Sequence, residues 1–177
     1  MGLAFEVRVS GHPEVFPTDV PPAEAVARLA LEKGRLVAPT APEALTLAAD
    51  TTVVLDGTVL EKPADAAEAR AMLRALSGAT HLVHTGLALL HPASDRAVAA
   101  TETTRVTFAT LSEPEIAAYV ASGSPLDKAG AYGIQDDAGA LFVARIEGDY
   151  YNVVGLPLHR LYLLLREHFS DLLVSEC

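Results

Sequence analysis

Two β-rich segments, residues 80–90 and 97–110, flank His91-Pro92-Ala93-Ser94-Asp95, a run of turn-forming residues. This predicts a long antiparallel pair. A ladder of that kind commits the chain to a sheet, and the other segments are read as what surrounds it.

Phe5 to Val9 alternates apolar and polar residues as a strand does, and Pro21-Pro22 opens a helical segment. In that helix Ala23, Val26, Ala27, Ala30 and Leu31 recur at helical spacing, and Gly34 is expected to end it. A strand is predicted from Leu45 to Leu55. The dipeptide Asp56-Gly57 then turns the chain so that Thr58 to Leu60 returns as a short hairpin partner. Asp65 with Glu68 resembles a capping box, and Ala69, Met72, Leu73 and Leu76 form the apolar stripe of the helix it starts. Ser112 with Glu115 is a second such signature, for a helix that stops at Gly123. A strand over 141–146 and a leucine-rich closing helix over 156–169 complete the expectation. The order is neither strict βαβ alternation nor all hairpins. The fold class expected is therefore α/β, a mixed β-sheet with flanking helices.

At 177 residues the chain fits one compact domain, pinched at most into two lobes. No apolar run approaches the roughly eighteen residues of a membrane span. Met1-Gly2-Leu3-Ala4-Phe5-Glu6 has no basic or apolar leader pattern, so a cytoplasmic location with no membrane partner is expected. The single Cys177 rules out a disulfide framework and a cysteine metal site. Thirteen Lys and Arg against twenty-three Asp and Glu give a net charge of −10, which argues against binding nucleic acid through its phosphates. A small anionic substrate stays compatible, because a few lysines and a divalent cation in a cleft reverse the local potential.

Polar and glycine residues are densest between Asp127 and Pro157. Glycines 130, 133, 148 and 155 allow positive φ or close approach, and Lys128 and Gln135 put a cation and an amide beside them. A polar ligand is held in that way, and plain surface turns are the alternative. Asp50 sits in an otherwise apolar strand, where a carboxylate needs a partner or a metal unless it merely caps a loop. The strand alone does not separate the two. Glu14, Lys33 and Lys62 each read singly as solvated charges, and only convergence in the fold would change that. Histidines 12, 81, 84, 91, 159 and 168 form no zinc pattern; His81 and His84, three apart on a strand, face opposite sides and read as packing residues. No nucleophile elbow, Walker loop or dinucleotide fingerprint occurs.

Taken in order, these pieces resemble the Maf proteins. The residues that carry the likeness are Phe5-Glu6-Val7 with Ser10 and Glu14, Leu29 to Lys33, Ala49-Asp50-Thr51, Lys62-Pro63, Ser77-Gly78 with Thr80-His81, Thr85-Gly86, and residues 127–157. The likeness is most specific at 127–135 and 147–157. It implies a two-lobed fold with a central cleft, related to the inosine triphosphate pyrophosphatases. It also implies cleavage of a nucleoside triphosphate between its α and β phosphates, giving the monophosphate and pyrophosphate. Asp50 would accept the proton of the attacking water, and Thr51 and Gln135 would set base preference. Glu14, Lys33, Lys62 and Lys128 would line the cleft. A divalent cation, Mg²⁺ or Mn²⁺, would be held by Glu14 and Asp50, both hard oxygen donors. Asp-Thr with Tyr-Gly-Ile-Gln resembles the subgroup acting on dTTP and UTP, with modified pyrimidine triphosphates as related substrates. A homodimer is the partner state implied.

One part of the family pattern has no counterpart. Members begin with a strand and a Ser-x-Ser-Pro-Arg-Arg loop, whereas this chain starts about where the following helix should end. The expectation is a single domain over 1–177 whose start was placed too far downstream, in preference to a genuine short form. The alternative function is a non-catalytic nucleotide-binding or division-regulating protein.

Overall fold

A computed structural model describes residues 4–13, 15–136 and 138–173. The first element is helix α1, Pro22–Val37. It is followed by the hairpin β1, Thr46–Leu55, and β2, Thr58–Leu60. Asp56 and Gly57 both take positive φ at the turn, as a tight hairpin with right-handed strand twist demands. Helix α2, Ala66–Leu76, leads into the long strands β3, Thr80–His91, and β4, Arg96–Phe108. Helix α3 spans Glu113–Ala121, and two short 3₁₀ turns, Ser124–Asp127 and Ala129–Ala131, follow it. The chain closes with α4, Gly139–Phe142, β5, Val143–Glu147, α5, Tyr150–Val154, and α6, Leu158–His168.

The five strands form one sheet in the order β2-β1-β3-β4-β5. The expected long pair is there, running in register from Thr80 opposite Thr107 to His91 opposite Arg96. Every ladder is antiparallel, where a mixed sheet was expected. The reason is connectivity: β1–β2 and β3–β4 are direct hairpins, and the α2 and α3 crossings return the chain antiparallel to a neighbour.

The long strands serve two packing centres. At one end Val53, Val83, Val106 and Phe108 meet α2 through Leu73 and Leu76 and α3 through Ile116 and Tyr119. At the other end Leu87 and Leu89 pack on Leu161, Leu164 and Leu165 of α6. Each fully buried leucine stabilises by about 1.5–3 kcal/mol, so both ends are anchored. Both caps read from the sequence form. Asp65 accepts from the Ala67 and Glu68 amides while Glu68 accepts from the Ala64 amide, and Ser112 and Glu115 close a reciprocal box.

Helix α1 lies along β3 through two glycine contacts. A Cβ on Gly86 would stand 2.2 Å from the Val26 carbonyl oxygen, and one on Gly34 would stand 2.4 Å from Leu90 Cδ1. Eight helical residues span about 12 Å and four strand residues about 13 Å, so α1 and β3 run side by side over this length.

Three further expectations are corrected, and one element is added. Phe5, Val7 and Val9 are 86, 80 and 94% exposed and 5–9 form no strand, because alternation makes a strand only where a ladder partner exists. Gly34 does not stop α1; it lies inside the helix, where the absence of a side chain admits Leu90. Residues 139–142 form a helical turn, so the last strand begins only at Val143. Helix α5 was not anticipated, although Asp149 caps it and Gly155, at φ 112°, ends it. No helix among the described residues is long and apolar enough to cross a membrane.

Candidate active site

A cleft of ≈ 540 Å³ opens where α1, β1, the end of β2 and the turns after α3 meet. Lys33, Asp50, Thr51, Lys62, Lys128 and Gln135 all line it. The convergence that single residues could not reveal is therefore supplied by the fold. Glu14 lies outside the described residues, as does Cys177.

Lys33 reaches from α1 to β1, where its Nζ donates to Asp50 Oδ1 at 2.5 Å. Side chains on a helix lean toward its N-terminus, which carries the ammonium back over Asp50. Asp50 pairs in register with Gly86, the residue on which α1 rests. The contact that seats the helix thus also sets the ion pair. Asp50 has its partner, as its apolar surroundings require, and is not a loop cap.

Thr51 follows Asp50 on β1 and leaves the opposite side of the strand, yet it lines the same cleft. Its Oγ1 lies 2.9 Å from Thr85 Oγ1, and the Thr85 hydroxyl donates to the Asn152 carbonyl at 3.0 Å. Asn152 is completely buried, and its Nδ2 donates to Val83 O and Thr104 Oγ1, both at 3.0 Å. Thr104 in turn donates to Asp149 O. Helix α5 is clamped to β3 and β4 by these bonds. Gly148 lets the chain pass close to Thr104, since a Cβ there would lie 2.9 Å from its hydroxyl.

Lys128 is held by the Ser124 carbonyl at 2.7 Å and by Asp127 Oδ1 at 2.8 Å, with Asp136 at 3.6 Å. Burial pulls its pKa down, but the two carboxylates outweigh burial and leave it above the ordinary lysine value. Asp136 was not singled out in the sequence, yet it organises this corner. Its Oδ2 accepts from Ser124 Oγ at 2.5 Å and from Tyr119 OH at 2.7 Å. Burial pushes the Asp136 carboxyl up, and the hydrogen bonds of Ser124 and Tyr119 with the charge of Lys128 bring it net below the ordinary range. Burial, and then the Asp136 carboxylate, push Tyr119 up to about 12, so it remains a donor. Gly133 leaves room for this pair, since a Cβ would lie 2.7 Å from Asp136 Oδ2 and 2.8 Å from Lys128 Cε. Only the position of Asp136 beside Gln135 hinted at a role; nothing in the spacing of 119, 124 and 136 links them.

His81 and His84 are buried packing residues. His81 Nε2 meets Tyr132 OH at 2.8 Å, and His84 Nδ1 meets Thr103 Oγ1 at 2.9 Å. Burial pushes His81 down to about 4. Among the described residues no three His, Cys, Asp or Glu side chains converge on a point.

The family model for Maf-like protein matches residues 1–168. A dTTP/UTP pyrophosphatase of Salinibacter ruber is 60% identical over 174 residues, covering 98% of this chain and 85% of that protein. Proteins of the same name from Symbiobacterium thermophilum and Bacillus cytotoxicus are 54% identical over 170 residues and 50% over 168. Those matches cover 94 and 95% of this chain, and 84 and 86% of the two proteins.

Proposed function

The chain belongs to the Maf-like proteins, and on that premise we propose that it is a nucleoside triphosphate pyrophosphatase acting on dTTP and UTP, and on modified pyrimidine triphosphates of the same edge. The observation that carries this is the gathering of Asp50, Lys33, Lys62 and Lys128 from four separate segments into a single cleft of nucleotide size, which Glu61, Asp127 and Asp136 also line.

In the proposed reaction Asp50 takes a proton from water whose oxygen attacks the α phosphorus, while the bond from that phosphorus to the bridging oxygen breaks. The products are the nucleoside monophosphate and pyrophosphate. Lys33 on Oδ1 orients Asp50, leaving Oδ2 for the water. Lys62 and Lys128 offset the charge that grows on the departing pyrophosphate. Thr51 and Gln135 contact the base.

The donor set does not build an all-protein metal cage. It fits Mg²⁺ or Mn²⁺ in the mode these ions take with nucleotides, one or two carboxylates with water and phosphate oxygens. Asp50 and Glu14 would hold the ion, whose charge would neutralise the triphosphate. We take residues 1–177 to form one domain, in a cytoplasmic homodimer acting on free nucleotides.

The test is pyrophosphate release from dTTP, UTP, CTP and GTP with Mg²⁺ or Mn²⁺, repeated with Asp50→Asn and with EDTA. Release from dTTP and UTP should be lost by roughly 10²–10⁴-fold in the folded variant, the usual contribution of a general base, and lost with the chelator. A folded chain that binds UTP without releasing pyrophosphate would instead establish the non-catalytic nucleotide-binding role.

A further inference from the structure

Three oxygens run in a row inward from the cleft wall: Thr51 Oγ1, Thr85 Oγ1 at 2.9 Å, and the Asn152 carbonyl at 3.0 Å beyond it. Two oxygens this close need a proton between them, and a carbonyl has none to give. The one hydroxyl proton of Thr85 must serve the Asn152 contact, so the Thr51 proton must serve the other. Thr85 is 0% exposed, which keeps water from supplying either. The end of the row is itself fixed, since the Asn152 carbonyl also accepts the Gly155 amide at 3.0 Å. Thr51 therefore spends its proton inward. Toward the cleft that it lines, its hydroxyl presents lone pairs only.

This direction selects among bases. Uracil and thymine carry a proton on N3, whereas cytosine has a lone pair there. Gln135 imposes no such polarity, because its exposed amide donates or accepts as it turns. Resting on the pyrimidine reading of the cleft, we propose that Thr85 is a positioning residue for base choice. It holds Thr51 as an acceptor, so that the cleft takes an N–H base edge and turns cytosine away.

Thr85→Val keeps the branched shape and removes the acceptor. The Thr51 proton is then released toward the cleft, where it can meet N3 of cytosine. The ratio of kcat/KM for CTP over UTP should rise by roughly tenfold, the equivalent of one mismatched hydrogen bond. Thr85→Ser restores the hydroxyl and should return the ratio to that of the parent chain. Should Thr85→Val fail to fold by circular dichroism, the smaller Thr85→Ala removes the same acceptor and carries the same comparison. A folded variant that loses CTP and UTP turnover equally, with the ratio unmoved, would overturn the role of Thr85 alone. Failure of the parent chain to hydrolyse UTP or dTTP would overturn the reading of the cleft, and the role of Thr85 with it.

Discussion

Gly86→Ala should be among the most damaging single-methyl additions in this protein. Away from positive φ, alanine normally improves on glycine in a strand by about 0.5–1 kcal/mol, through the smaller entropy of the unfolded chain. Gly86 does not take positive φ. Its added Cβ would lie 2.2 Å from Val26 O, 2.3 Å from Val26 C and 2.5 Å from Ala27 N. These are backbone atoms of α1, so relief to an ordinary contact of at least 3.4 Å means lifting the helix by more than 1 Å. Overpacking of that kind costs about 1–3 kcal/mol, enough to reverse the sign of the entropic gain. The same displacement carries Lys33 away from Asp50, and a misplacement of ~1 Å at a catalytic pair costs on the order of 10²-fold in rate.

The assay pairs urea unfolding with pyrophosphate release from UTP, and Gly34→Ala is its internal control. There the obstructing atom is Leu90 Cδ1, the tip of a flexible side chain, and alanine raises helix propensity by about 1 kcal/mol. Gly34→Ala should be near neutral where Gly86→Ala is destabilised. A Gly86→Ala protein as stable as the parent would refute the seating of α1. One that is destabilised but retains full kcat/KM would refute the coupling of that seat to the ion pair.

Asp136→Asn should raise the KM for nucleotide by several-fold with a smaller change in kcat, and cost about 1–3 kcal/mol, because Ser124, Tyr119 and Lys128 lose a charged acceptor. Steady-state kinetics beside urea unfolding checks both, and an unchanged KM would remove Asp136 from the cleft's support. Acid should weaken the fold through His81. Its folded value of about 4 lies below the ordinary 6.5, so between these the unfolded chain takes a proton that the folded one refuses. Stability contributed by the neutral ring is present above pH 6.5 and is lost as the pH falls toward 4, by roughly 3 kcal/mol in all. His84, pushed down by burial as well, adds a contribution of the same sign. Urea midpoints from pH 7 to 4.5 should fall less steeply for His81→Gln than for the parent, and equal slopes would remove His81 as the cause.

The elements legible in advance were those whose signals are local. The Asp65 and Ser112 caps, the Asp56-Gly57 turn and the β3–β4 pair each depend on residues within a few positions of one another, and each is found as expected. What was misread depended on distant neighbours. Phe5 to Val9 has the alternation of a strand but no ladder, and Gly34 has the look of a stop although its backbone stays helical to admit Leu90. The same division runs through the site. Asp50 was legible because a carboxylate among apolar strand residues needs a partner, but that the partner is Lys33, seventeen residues earlier, follows only from α1 lying on Gly86. Asp136 acts through residues 119, 124 and 128, which no spacing rule joins.

The glycine-rich stretch at 147–157 changes meaning most. Read alone it suggested a loop wrapped on a ligand, yet only Val153, Val154 and Gly155 of it line the cleft. Its polar residues work from behind. Asn152 bonds to Val83 and Thr104, Thr104 bonds to Asp149, and the Asn152 carbonyl takes the Thr85 proton. A side chain used as that last acceptor could rotate and release Thr51. A backbone carbonyl held by the Gly155 amide cannot, and Gly155 reaches it because its φ of 112° closes the end of α5. The segment thus converts a helix cap into a fixed hydrogen-bond direction at the cleft wall. Base choice should accordingly respond more to buried changes at Thr85 than to substitution at exposed Gln135, whose amide turns to suit either edge.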